Sequence, residues 1–274
     1  MDFLLINDWL NRGYEMYSYK WDHFLLVFLM IGFGLWLGFF LRNKDKKTIT
    51  IALVVLWIIS LLVGATYYTL VALACRKGIG GFFADTLGVI LPLHSCFMFV
   101  FLFPVAMFAR NKYIKKAASN FLVVVNMIMG FITMFVGCPI PGFSAFSFFG
   151  LQTIIYHGII AIVPFVMLLT RLYEIEKEDI RYGLLAFGIL ATSVWIFDAI
   201  TGCDYFYIYD GHSFPVFQFI SENVHHLVWT LITVSVYIVT AIATHIFVLF
   251  IKGQVAKQRE NNANSVANDS STNL

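Results

Sequence analysis

Two histidines and a cysteine are the residues of this chain best suited to chemistry. His94 and Cys96 lie in the run Leu91-Pro92-Leu93-His94-Ser95-Cys96, and His157 lies in the pair His157-Gly158. A neutral imidazole takes a proton near neutral pH, and a thiol that loses its proton to such a base is a nucleophile. Asp198, Asn223 and His226 add polar groups further along, with Glu222 and His225 beside the last two. Three kinds of activity are open to such a set. One is acyl transfer, which needs a nucleophile, a base and donors for the developing oxyanion. The second is a zinc-dependent hydrolase, in which His94, His157 and His226 with Asp198 would hold a metal and its water. The third is a transporter or receptor whose polar cluster binds a small solute. His225 and His226 are adjacent, so on a helix they diverge by about 100° and do not form a ligand pair, which counts against zinc.

The elements that must position these groups are membrane helices. Of 274 residues, 60% are hydrophobic and 12% charged, and mean hydropathy is +0.81. A soluble domain carries about 25% charged residues. The net charge of +2 gives no reason to expect nucleic acid as a partner; the lipid bilayer is the expected surrounding. About 20 apolar residues cross the hydrocarbon layer. Seven segments are long enough, near 23–41, 49–75, 88–109, 117–137, 151–171, 183–200 and 226–251, which predicts an all-α, seven-helix polytopic protein. Fourteen of the 18 Lys and Arg residues fall in the first, third and fifth loops and the tail, and the other side holds only Arg12, Lys20, Arg76 and Lys77. Basic residues gather on the cytoplasmic side, so the N-terminus is expected outside and the C-terminus inside, in a multi-pass protein of the cell membrane. Residues 1–22 read as an extracytoplasmic lead-in without the pattern of a cleaved signal, 23–251 as the helical domain, and 252–274 as a disordered cytoplasmic tail.

With that orientation His94 and His157 each lie about six residues below the outer end of an inward-running helix, roughly 9 Å deep. Asp198 ends the sixth helix, and Asn223 and His226 open the seventh, so four helices bring polar groups to the outer half of the bundle. On the seventh helix His226, Thr230, Thr233, Tyr237, Thr240 and Thr244 form one stripe. On the fifth, Thr153 and His157 share a stripe with Gln152 and Tyr156 beside it. Ser119, Asn126, Gly130, Thr133 and Gly137 repeat on the fourth, a spacing that reads as a packing surface. His245, deep in the inner half, reads as structural. On a continuous third helix His94 and Cys96 would stand about 200° apart. Cys96 is therefore open to two readings, nucleophile or packing residue. Cys75, Cys138 and Cys203 also fall on the outer side, where Cys138 and Cys203 are the pair better placed for a disulfide.

The Leu-Pro-Leu-His-x-Cys run, the His-Gly pair, the start around Trp21-Asp22-His23, the basic first loop and the long final span resemble the YwaF-like family of bacterial integral membrane proteins. That family is similar to the eukaryotic transmembrane protein one-six-four, regarded as a phospholipid acyltransferase acting through a Cys and His pair. The related androgen-induced hydrolases use a Thr and His pair. The resemblance implies His157 as the catalytic histidine, with His94 in the neighbouring site. In the eukaryotic motif the Cys directly precedes the His, and here that position is Leu93. Cys96, Thr153, or a lysophospholipid hydroxyl activated directly by His157 remain the candidate nucleophiles. Gln152, Tyr156 and Asn223 are the candidate oxyanion donors, and Asp198 and His226 complete the substrate-binding set. The expected partner is a membrane phospholipid or lysophospholipid, and no cofactor is called for.

Overall fold

The computed structural model describes residues 21–76, 93–136, 148–209, 220 and 223–272. Within them the chain is helical. The helices are α1 (Trp21–Leu41), α2 (Lys46–Arg76), α3 (Met98–Phe108), α4 (Lys112–Phe121 and Met127–Val136, joined by a π-turn Leu122–Asn126), α5 (Phe148–Leu169), α6 (Asp179–Thr201) and α7 (His226–Thr272). Six are long and apolar enough to cross a membrane, and α3, with 11 residues, is shorter. The lead-in before Trp21, residues 88–92 of the expected third span, Cys138, His212 and Glu222 lie outside the described residues.

Local chemistry sets the helix ends. Asp45 accepts from the Thr48 amide at 3.1 Å and its hydroxyl at 2.6 Å, capping α2. Asn111 does the same for α4, accepting from the amides of Tyr113 at 2.9 Å and Ile114 at 3.3 Å. Gly202, at φ 73°, takes the left-handed conformation that closes α6, and its N–H bonds the Asp198 carbonyl at 2.8 Å. Helix α7 continues to Thr272, across the segment for which the composition suggests a disordered tail.

Helices α4 and α5 form the centre. Of their most apolar stretches 67% and 72% are buried, against 28% in α1, α2 and α6 and 22% in α7. Their close approach rests on Gly130, where a Cβ would stand 2.7 Å from the His157 carbonyl oxygen and 2.9 Å from the Ala161 nitrogen. Between membrane helices, where apolar burial gives little drive, such small-residue contacts carry the packing. The outer helices turn Phe28, Trp36, Ile58, Leu185, Leu231 and Val239 outward, the surface a lipid-facing ring requires.

The basic loops meet at one end. Lys116 of α4 pairs with Glu176 and, at 3.1 Å, with Asp179. Lys252 of α7 donates to the Ile175 carbonyl at 3.0 Å. Lys46, Lys115 and Leu172 line one cavity there. The α1–α2, α3–α4 and α5–α6 links and the far part of α7 therefore share one face, as the charge pattern leads one to expect.

Candidate functional site

The expected helix through His94 gives way to a turn. The amides of Phe97 and Met98 both bond the His94 carbonyl, at 2.8 and 3.3 Å, and regular helix begins only at Met98. The Ser95 carbonyl, which a continuous helix would bond to the Phe99 amide, instead accepts from Asn126 Nδ2 at 2.9 Å, while the Phe99 amide bonds Cys96 at 3.3 Å. His94 and Cys96 thus sit on a tight turn of mostly i+3 bonds, and at about 120° per residue their side chains still point in well-separated directions.

That turn is held from two sides. Asn126 ends the π-turn of α4, a local widening that re-aims a side chain and often marks a functional site. It is fully buried. From α7, the Tyr237 hydroxyl meets Ser95 Oγ at 3.3 Å. Both residues belong to stripes legible in the sequence, but Asn126 is a positioning residue and not only part of a packing surface.

The His94 ring lies edge-on to Tyr205 at 4.9 Å and tilted against Tyr207 at 5.5 Å. Its buried Nδ1 has no hydrogen bond. The two tyrosines come from a short 3₁₀ turn, Tyr205–Tyr207, in which Phe206 (φ 60°) and Tyr207 (φ 56°) are both left-handed. Such a backbone costs about 1–3 kcal/mol per residue and persists only when its surroundings impose it. Here Trp229 Nε1 donates to the Tyr207 carbonyl at 3.0 Å and the Thr230 hydroxyl to the Ile208 carbonyl at 2.7 Å. The fully buried Asp198 carboxylate faces the Tyr205 amide without closing a hydrogen bond. Asp198 therefore lies behind Tyr205, one layer from His94. Tyr205 and Tyr207 were not singled out by the sequence; the available signal was an aromatic run, Tyr205-Phe206-Tyr207, three residues after the helix-ending Gly202.

On α5, His157 Nδ1 lies 2.8 Å from the Thr153 carbonyl. A carbonyl only accepts, so Nδ1 carries the proton and Nε2 keeps the lone pair, the tautomer a general base needs. The His157 ring lies edge-on to Tyr156 at 5.6 Å. Tyr156 packs on Phe97 at 4.9 Å, and its buried hydroxyl has no hydrogen-bond partner. Gln152 and Thr153 are buried one turn away, the Thr153 hydroxyl donating to Gln152 Oε1 at 3.3 Å. The turn that carries His94 and Cys96 therefore meets α5 through Phe97 on Tyr156, with His157, Gln152 and Thr153 beside Tyr156 on that helix.

It does not gather the residues at the start of α7. Asn223 and His226 are exposed, and the His226 ring lies tilted against His225 at 4.3 Å and 5.9 Å from Tyr209. Among the described residues no three His, Cys, Asp or Glu side chains converge to hold a metal, so the His94, His157, His226 and Asp198 set is not assembled. The reason is the Tyr205–Tyr207 turn, whose aromatic rings stand between His94 and the mouth of α7.

A model of the TMEM164 family matches residues 16–251. The chain belongs to the TMEM164 family. The match takes in the whole helical bundle up to Ile251 of α7, including the His94 turn and the His157 helix. No curated protein and no solved structure matches this TMEM164-family chain. It is an integral membrane protein, all-helical through its described residues.

Proposed function

We propose that this TMEM164-family protein moves acyl chains of membrane phospholipids, as an acyltransferase or acyl hydrolase, with His157 as the general base. One observation carries the reading: the Phe97 ring joins the His94 turn to Tyr156, Tyr156 lies edge-on to His157, and the His94 Nδ1 and Tyr156 hydroxyl are buried without a protein partner. Buried polar groups are nearly always satisfied, so orphans grouped beside a base fit a bound substrate.

His157 Nε2 removes the proton of a nucleophile, which attacks the ester carbonyl of a phospholipid. The Tyr156 hydroxyl donates to the oxyanion, and the protonated His157 returns its proton to the leaving lysolipid oxygen. Two nucleophiles fit this arrangement. One is the Cys96 thiol, giving an acyl-enzyme; the other is a lysophospholipid hydroxyl or water activated directly. The likeness to the YwaF-like proteins supports acyl chemistry in general and does not choose between the routes. In this reading the chain crosses the cell membrane seven times with its N-terminus outside, supported by the gathering of basic loops at one end, and the site opens toward the outer leaflet.

The test is turnover of isotopically labelled phospholipid and lysophospholipid by the purified protein in vesicles, followed by mass spectrometry. His157→Ala should lower turnover by about 10²–10⁴-fold, the range general-base catalysis supplies. A mass shift of one acyl chain, lost in Cys96→Ala, would identify the covalent route. Absence of any lipid turnover by folded protein would sink the enzyme reading and leave solute binding in its place.

A further inference from the structure

At the basic end, away from the His94 and His157 pocket, a cavity of about 150 Å³ lies between the start of α2, the end of α3, the start of α4 and the α5–α6 link. It is several times the roughly 30 Å³ that one water occupies in the liquid. Two ammonium groups, from Lys46 and Lys115, and the Thr50 hydroxyl line it, with Met107, Phe108 and Leu172 among its apolar walls. Lys115, half-buried, donates to the Met107 carbonyl at 3.1 Å, and Lys46, also in the lining, is exposed.

The neighbouring lysine shows what is missing. Lys116 is matched by Glu176 and Asp179, whereas no ion pair among the described residues takes Lys115 or Lys46. The nearest acid in sequence, Asp45, is turned to Thr48 as a helix cap. Two like charges sharing a partly enclosed space of low polarizability repel unless an anion joins them. The apolar walls say which anion: Phe108 is 61% exposed at the rim, on the outer surface of an apolar helix, where an acyl chain would lie. We propose that this cavity binds the phosphodiester of an anionic phospholipid on the basic side of the bundle, the phosphate between Lys46 and Lys115 and the chains along Phe108. Basic pockets between membrane helices on the cytoplasmic side commonly take such headgroups.

The test is native mass spectrometry of the full chain released from nanodiscs of phosphatidylcholine with a minor fraction of phosphatidylglycerol. The wild type should retain phosphatidylglycerol in excess of its bilayer share. Lys46→Gln with Lys115→Gln should weaken that retention about thirty-fold, each lysine near an anionic headgroup being worth roughly a factor of five. Lys46→Arg with Lys115→Arg should keep it, which guards against loss through misfolding. Lys44→Gln with Lys47→Gln, exposed residues outside the cavity, should change it little. Equal loss in that control pair would overturn the site in favour of diffuse surface charge. Retention unaffected by the cavity pair would overturn it outright. Competition by millimolar inorganic phosphate without lipid selectivity would overturn the lipid assignment and leave a soluble phosphate as the ligand.

Discussion

Two buried polar regions occupy opposite ends of this bundle, and they differ in how far hydrogen bonds link their side chains into one network. At the basic end, Asn120 Nδ2 reaches the Tyr173 hydroxyl at 3.3 Å and His245 Nδ1 at 3.2 Å. Tyr173 then donates to Asp179 at 2.9 Å, and Asp179 also takes the Glu176 amide at 3.0 Å and the Lys116 ammonium at 3.1 Å. Donors and acceptors follow one another across α4, the α5–α6 link, α6 and α7. At the other end, His94 and Tyr156 keep orphaned polar atoms among aromatic rings, and the strained Tyr205–Tyr207 backbone is held against them. Single atoms at the basic end also lack a hydrogen bond, Asn120 Oδ1 and His245 Nε2 among them, but each of those side chains is tied into the network through another atom, whereas the Tyr156 hydroxyl is not tied in at all. A linked network fixes helices, and an unlinked buried polar group is where a substrate has something to complete. The two regions have similar residue types, so composition alone does not distinguish them.

The contrast is sharpest in a pair of substitutions. His157→Ala should cost two or more orders of magnitude in lipid turnover while leaving thermal unfolding in detergent within about 1 kcal/mol of wild type, because its one recorded hydrogen bond is to a carbonyl of its own helix. Asp179→Ala should do the reverse. It strips Tyr173 and the Glu176 amide of their buried acceptor and removes one of the two partners of Lys116. Lys116 is one-third exposed and keeps Glu176, so the loss should be about 3 kcal/mol, toward the lower end for a broken buried pair. Turnover per folded molecule should survive. A protein that melts normally without Asp179, or one that unfolds without His157, would erase the distinction between the ends.

Gly183→Ala tests the linked end by geometry. A Cβ there would lie 2.1 Å from Asn120 Oδ1, so the substitution must displace Asn120 and with it the contacts to Tyr173 and His245. A loss of about 1–3 kcal/mol is expected by thermal unfolding, typical of overpacking in a tight core.

Much of this was legible in the sequence. The apolar segments and the alternation of basic loops anticipated the bundle and the clustering of those loops, because both follow from solvent and charge rather than from detailed packing. Matched depth in the sequence set His94 and His157 beside each other as an expectation, with Tyr156 next to the stripe of His157. What escaped was set by tertiary contact. No local pattern says that Asn126 ends a π-turn and takes the Ser95 carbonyl away from the helix ladder, which turns the expected third helix into a turn at His94. Nor does it say that Asn120, Tyr173 and Asp179, from separate segments, join one network; only His245 was singled out there, as structural. The stripe on α7 was real as far as Thr230 and Tyr237, yet His226 at its top is exposed, because the stripe emerges from the bundle before reaching it.

The positioning of the turn gives a prediction of intermediate size. Asn126→Ala leaves the buried Ser95 carbonyl without its partner, a penalty of about 1–3 kcal/mol. Since the released turn carries His94 and Cys96, turnover should fall about ten-fold or more with the Michaelis constant and the rate both changed, whereas Tyr237→Phe, which loses only a 3.3 Å hydroxyl contact, should cost about 1 kcal/mol or less.

The smallest effect should come from His226→Ala, and it marks where the site ends. Exposed and tilted against His225, His226 packs near Tyr209, whereas His94 packs on Tyr205 and Tyr207. Stability should stay within about 0.5 kcal/mol, as for surface substitutions generally, and turnover within about two-fold. If His226→Ala instead matched His157→Ala in lost turnover, the Tyr205–Tyr207 turn would have to move aside during the reaction, letting the start of α7 reach the pocket. The unlinked region would then extend to the outer surface of the bundle, and Asn223 would become the next residue to substitute.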